Sequence, residues 1–150
     1  MNAQLLADRF AIRALIIEYS NALDARQFAR LDAVFTPDAY IDYRATGGID
    51  GHYAEIRLWL PAAVAAFPRM CHLVGNIGIH VHAEAAEATT LCLNPLAVPL
   101  PTGATQVMFL GMWYHDRLVR TAAGWRMSRR VQAGCIQHNV PPHLRLPAAH

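Results

Sequence analysis

Beyond Pro68 the hydrophobic pattern of the chain switches from helical spacing to strict alternation, and the alternating part is apolar on both faces. Met108, Leu110, Met112 and Tyr114 alternate with Val107, Phe109 and Trp113. A strand with one solvated face would carry polar residues at every second position. A sheet made of such strands has to be covered twice, on one side over a core or cavity and on the other against a second subunit. Four β-rich runs follow one another: His72–His82, Ala86–Val98, Ala104–Arg120 and Gly124–His138. Thr121-Ala122-Ala123-Gly124 forms the hairpin turn between the last two, and Pro99 and Pro101 bracket the loop between the middle pair.

The part before Pro68 is mostly helical. Leu5, Leu6, Phe10, Ile12, Leu15, Ile16, Tyr19 and Leu23 recur at helical spacing up to Asp24. Phe28, Leu31, Val34 and Phe35 form the apolar stripe of a short second helix, which Thr36-Pro37-Asp38 stops. Ala39–Arg44 alternates like a strand and Gly47-Gly48 turns the chain. A third helix is expected from Asp50-Gly51 to about Phe67, capped by Asp50, with Pro61 kinking or restarting it. Three helices with one early strand, followed by an antiparallel meander, make an α+β fold with the helices on one face of the sheet. One domain spans residues 1–150, its core at about 5–137, with a proline-rich tail or pocket flap at 138–150.

Composition narrows the function classes. Hydrophobic residues make up 54% and charged residues 16%, the balance of a packed domain with extra burial at an interface or around a ligand cavity. The net charge of +2 comes from arginine alone, and the Arg126, Arg129, Arg130 cluster lacks the aromatic interleaving of a nucleic-acid platform. No nucleic-acid partner is expected. Cys71, Cys92 and Cys135 form no CxxC pair, and an odd count fits a reducing, cytoplasmic compartment with structural thiols. The uncharged helical stretch Leu58–Phe67 contains Pro61 and is too short to span a bilayer, so no membrane partner is expected.

Among eight histidines, His80 and His82 share one side of a strand, and His115 and Asp116 add oxygen and nitrogen donors. No third ligand stands at a diagnostic spacing, so no metal is expected. His138, His143 and His150 read as solvated. There is no phosphate-binding glycine loop and no GxSxG elbow. What remains is a sparse polar set among apolar runs: Tyr19, Asp24, Asp42, Tyr43, His72 and Asn76.

Those residues fall in three segments: Leu23-Asp24-Ala25-Arg26-Gln27-Phe28-Ala29-Arg30-Leu31, Ile41-Asp42-Tyr43-Arg44 and Cys71-His72-Leu73-Val74-Gly75-Asn76. Together with Asp116–Arg120 and Gly124-Trp125-Arg126 they resemble the SnoaL-like family of the nuclear transport factor 2-like superfamily, over about Leu5 to Gln137. Within it the resemblance is most direct to the scytalone dehydratases and partial to the bile-acid dehydratases. It implies a cone-shaped, curved antiparallel sheet wrapped by three N-terminal helices, a cofactor-free active site and a homo-oligomer, trimeric in the resembled branch and dimeric elsewhere in the superfamily. Asp24 falls on the family's dyad aspartate, His72 on its dyad histidine and Tyr43 on the tyrosine that polarises the substrate carbonyl. Tyr19 matches the bile-acid dehydratase tyrosine, while Leu23 stands where the scytalone enzyme has its own. Asn94 replaces that enzyme's second pocket histidine, and residues near Met112 and Tyr114 replace its serine and asparagine, so a different substrate is implied. Asn76, Asn94, Met112, Tyr114 and Arg130 are the expected substrate-binding residues, and of the neighbouring Arg129 and Arg130 only one can face a pocket from a regular strand.

Elimination of water from a carbon beta to a carbonyl needs a base for the alpha proton and an acid for the departing hydroxide. Histidine can take one proton and return it. An aspartate on the other ring nitrogen fixes the tautomer, and a tyrosine hydroxyl stabilises the developing enolate. Taken without the family, Asp24 equally fits a capping box with Gln27, His72 a satisfied core histidine and Tyr43 a packed strand aromatic. The leading expectation is a dehydratase acting on a small cyclic or polycyclic hydroxy-ketone. An isomerase or cyclase using the same pocket, and a non-catalytic domain binding a hydrophobic ligand, are the rivals.

Overall fold

A computed structural model describes residues 2–148, apart from the side chain of Cys135. His150 and the Cys135 thiol therefore lie outside the described residues. Helix α1 (Ala3–Asp24) starts at Asn2, whose side-chain oxygen accepts the Leu5 N–H, and buries Ile12, Ile16, Tyr19 and Leu23. The expected second helix is a single 3₁₀ segment, residues 28–33. The capping alternative for Asp24 is not observed, since Gln27 occupies the cap position without a side-chain bond.

Strand β1 (Phe35–Asp42) begins earlier than the sequence suggests and contains Pro37. Its pairing is irregular between Phe35 and Tyr40, which leaves room for a residue without an N–H. Asp50 does not cap a helix. It belongs to β2 (Asp50–His52), where its carboxylate accepts from the Tyr40 hydroxyl at 2.6 Å. Helix α2 (Tyr53–Ala65) starts after His52, whose N–H donates to the Glu55 carboxylate at 3.1 Å. It runs unbroken through Pro61 and buries Tyr53, Ile56, Leu60 and Val64 at three- and four-residue spacing.

The meander follows as β3 (Arg69–Met70), β4 (Leu73–His82), β5 (Ala85–Pro99), β6 (Thr105–Thr121) and β7 (Gly124–His138). The four long runs match the β-rich segments of the sequence within one residue at every end. The sheet has the order β2-β1-β7-β6-β5-β3, with β4 also on β5. It is mixed rather than wholly antiparallel, because β1 pairs with β7 in parallel, Phe35 opposite Met127 and Ile41 opposite Arg130. The helices pack on its inner face, giving the α+β architecture. Beyond β7, Gln137 donates to the Pro147 carbonyl and Leu146 packs beside Gly47, so the tail folds back across the inner face.

One ion pair ties α1 to the hairpin. The Asp8 carboxylate receives two N–H bonds from Arg120, at 2.7 and 2.8 Å, and one from the Trp125 indole at 3.1 Å. The Arg120 guanidinium, aided by Trp125 and Gln4, holds the Asp8 carboxyl well below the usual carboxylate range against the opposing cost of burial. A carboxyl depressed in the folded state stabilises the fold above the unfolded value of about 4, and that contribution fades as the pH falls. Asp8→Asn is therefore expected to be less stable than the parent at neutral pH, with the difference closing below about pH 4. Urea titrations at pH 3 and pH 7 check this, and an equal loss at both would remove the ion pair as its cause.

Candidate active site

Asp24 ends α1, and His72 lies in the extended stretch just before β4. The Asp24 carboxylate holds His72 at two points: one oxygen accepts the His72 backbone N–H at 2.8 Å and the other meets ring Nδ1 at 2.6 Å. An acceptor at Nδ1 requires the hydrogen there and leaves a lone pair on Nε2. The side chain of His72 is 6% exposed, that of Asp24 27%.

His72 borders a cavity of about 360 Å³ between the helices and the inner face of the sheet. Leu60, Val64, Phe67, Leu96, Met108 and Leu110 make most of its wall apolar. Tyr19 and Tyr43 line it as well, their hydroxyls 2.7 Å apart. Burial pushes both phenols above their ordinary range. For Tyr43 the Tyr19 hydroxyl adds to the rise, whereas for Tyr19 the neighbouring Arg130 opposes it. Both hydroxyls therefore stay protonated, and since one donates to the other, a single O–H is left to point into the cavity. The Tyr43 ring lies against Trp59 and against Gly48, where an added Cβ would come within 2.7 Å of the Tyr43 Cβ. That close approach is what the Gly47-Gly48 pair provides, in addition to the turn.

Of the expected substrate-binding residues, Asn94 and Met112 line this cavity. Arg130 and Tyr114 do not. They form the layer beneath Tyr19, where the fully buried Arg130 guanidinium is sandwiched 4.0 Å from the Tyr19 ring and 4.2 Å from the Tyr114 ring and bonds the buried Asp116 carboxylate twice at 2.7 Å. Its neighbour Arg129 faces the other way, over Tyr40. Asn76 is a correction: it has a positive φ of 49° at a bulge in β4 and is exposed. Cys71 is exposed as well, not a buried thiol, while Cys92 is buried. His80 and His82 are exposed on β4, and no cluster able to hold a metal is found among the described residues.

The sequence pattern left out Trp59, the Thr46–Gln132 hydrogen bond and the tail residues Leu144, Arg145 and Leu146, all of which line the cavity. Gln132 could have been found, since it is two residues from Arg130 on the same strand face. The tail residues carry no periodic signal.

A family model described as a SnoaL-like domain matches residues 4–131. Uncharacterised proteins from Mycobacterium tuberculosis and Mycobacterium bovis are 46% identical over 132 residues, covering 88% of this chain and 88% of theirs. A protein from Kribbella flavida has a crystal structure that superposes with a TM-score of 0.82 at 22% identity, over 90% of this chain and 95% of its own. A protein from Novosphingobium aromaticivorans, provisionally assigned as a scytalone dehydratase, gives 0.83 at 21% over 99% and 97%. A hexachlorocyclohexane dehydrochlorinase from Novosphingobium barchaimii gives 0.76 at 20% over 95% and 97%. At those identities the superpositions speak for the fold. No helix among the described residues is long and apolar enough to cross a membrane.

Proposed function

Because the chain belongs to the SnoaL-like family, we propose that it is a cofactor-independent hydro-lyase that removes water from a small cyclic or polycyclic hydroxy-ketone. The observation that carries this reading is the Asp24–His72 contact at 2.6 Å on a mostly apolar cavity that the hydrogen-bonded Tyr19–Tyr43 pair also lines. Solved structures of the same fold include proteins described as a dehydratase and as a dehydrochlorinase, both names of elimination reactions.

The steps follow from the groups present. The substrate carbonyl oxygen accepts from the Tyr43 hydroxyl, which in turn accepts from Tyr19. His72 Nε2 takes the alpha proton, the C–H pair moves into the enolate, and the negative charge on Asp24 stabilises the imidazolium. The enolate then re-forms the carbonyl and a carbon–carbon double bond as the beta carbon–oxygen bond breaks. The Nε2 proton leaves with the departing oxygen as water, and the enzyme returns to its starting state. Only proton transfers and hydrogen bonds are needed, so the chemistry calls for neither a metal nor an organic cofactor. A dry wall strengthens these electrostatic terms.

Incubation with a panel of hydroxy-ketones, followed by mass spectrometry, tests the proposal. A product lighter by one water, formed by the parent and lost in Asp24→Asn, is expected. A product of unchanged mass would show an isomerase in the same pocket. Binding without conversion across the panel would favour a ligand-binding role.

The apolar outer face has a separate consequence. Leu73, Leu93, Gly111 and Ile136 lie opposite one another in a row across β4, β5, β6 and β7, with Phe109 and Val107 adjoining. Leu73 is 67% exposed and Ile136 55%. A second copy of this chain is the proposed cover, since exposed apolar surface continuous over four strands marks an interface. Ile136→Arg is expected to convert a homo-oligomer into a folded monomer in light-scattering chromatography. A monomeric parent protein would overturn the assignment.

A further inference from the structure

Asn94 touches His72 as well as lining the cavity. It sits on the inner face of β5, 6% exposed, with Pro95 next to it holding its backbone extended. Its side-chain nitrogen is 3.2 Å from His72 Nε2. Its side-chain oxygen is buried and has no hydrogen-bond partner among the described residues. Both halves of the amide have to be accounted for, because buried polar atoms are almost always paired.

In the resting enzyme the accounting is half complete. With the hydrogen on Nδ1 and directed to Asp24, Nε2 offers a lone pair, and the Asn94 N–H₂ donates to it. Once Nε2 gains a proton, that contact becomes donor against donor. A half turn of the amide about its last torsion brings the unpaired oxygen to face the new N–H, and the same residue then satisfies the protonated ring. That torsion is soft for an amide. The other polar groups bordering the cavity are placed differently. Tyr19 and Tyr43 share one hydrogen bond, Thr46 donates to Gln132, and Arg145 from the tail lines the cavity alongside Leu144 and Leu146, while Asp24 from α1, behind the ring, is committed to Nδ1 and the His72 backbone. Met112 of β6 brings no polar group.

We propose that Asn94 is a positioning residue for His72: a two-setting amide that caps the Nε2 lone pair of the neutral ring and turns to accept from the protonated one, so that a proton held between the two chemical steps has a partner. The proposal rests on the reading of His72 as the proton carrier. Its test is made so that the two can fail separately.

The first measurement uses the protein alone, labelled with ¹⁵N-histidine, titrated by NMR and assigned with His72→Gln. Asn94→Asp, which accepts in either setting, is expected to move the His72 titration midpoint upward by about one pH unit or more relative to the parent. Asn94→Leu, similar in size and unable to bond, is expected to shift the Nε2 resonance of the neutral ring toward that of a free lone pair. Near-ultraviolet circular dichroism checks that each variant is folded, and Asn94→Ser replaces any that is not. An unchanged Nε2 resonance and an unchanged midpoint in these variants would overturn the proposal. The second measurement is the pH dependence of kcat/KM on a hydroxy-ketone turned over in the panel above. Its acid limb is expected to move with the NMR midpoint in Asn94→Asp, with kcat lowered about tenfold in Asn94→Leu and KM little changed. An NMR shift that the rate profile does not follow would sink the proton-carrier reading of His72 and leave the amide contact standing.

Discussion

His72→Ala is expected to lower kcat/KM by roughly 10²- to 10⁴-fold, the range for loss of a positioned general acid–base group. The fold should survive. The variant keeps its backbone N–H, so the Asp24 carboxylate retains the 2.8 Å bond that ties the end of α1 to the start of β4. Part of that carboxylate already meets water, at 27% side-chain exposure, so removing the ring does not strand a buried charge. Circular dichroism and a thermal melt beside the rate measurement separate chemistry from structure. Full turnover in a folded His72→Ala would eliminate the dyad mechanism. Asp24→Asn is expected to lose a comparable factor by a different route. Its amide can present N–H to Nδ1, which would favour the tautomer with the hydrogen on Nε2 and leave no base facing the cavity.

The largest effect on stability is expected from Arg130→Leu, at about 3–5 kcal/mol, because it strands one partner of a fully buried ion pair. Asp116 would keep a charge with 0% side-chain exposure and lose both of its N–H bonds. Tyr19 and Tyr114 would lose the cation packed between their rings. Removing both charges in Arg130→Leu/Asp116→Leu is expected to recover most of the loss, as a buried pair is much less costly to replace than to break. Urea unfolding of the single and the double variant measures both statements. A single-variant loss under about 1 kcal/mol would mean that water reaches the pair. The Tyr19–Tyr43 contact rests on this layer, so a folded Arg130→Leu is also expected to lose turnover.

The periodicity of the chain foretold the helix–meander order closely, because α1 and the strands β4–β7 bury one regular stripe or alternate face each. It could not foretell the parallel contact of β1 with β7. That contact joins segments far apart in the sequence, and alternation along one strand holds no information about its neighbour. Local chemistry also misled. Asp50 looked like a cap but is held by Tyr40 inside a strand, and Pro37 sits in a strand because the ladder is irregular there. The pairing of Asp24 with His72 was visible only through family resemblance, since neither residue has a local pattern that demands the other. Asn76 was misassigned because its positive φ turns it out of the alternation on which the reading depended. The burial of Arg130 was missed for a similar reason: strand alternation tells which arginine faces inward but not whether it meets a cavity or a carboxylate.

The parallel seam between β1 and β7 also orders events as the chain is made. Tyr43, just past the end of β1, leaves the ribosome early, yet its strand finds its inner neighbour only after the last hairpin has been synthesised. Long-range closure of this kind is slow and is reached late in folding. Until then β1 has only the short β2 beside it, and its other edge stays open. Loss of β7 would then remove more than a strand, leaving β1 without its seam and Tyr19 without the arginine behind it.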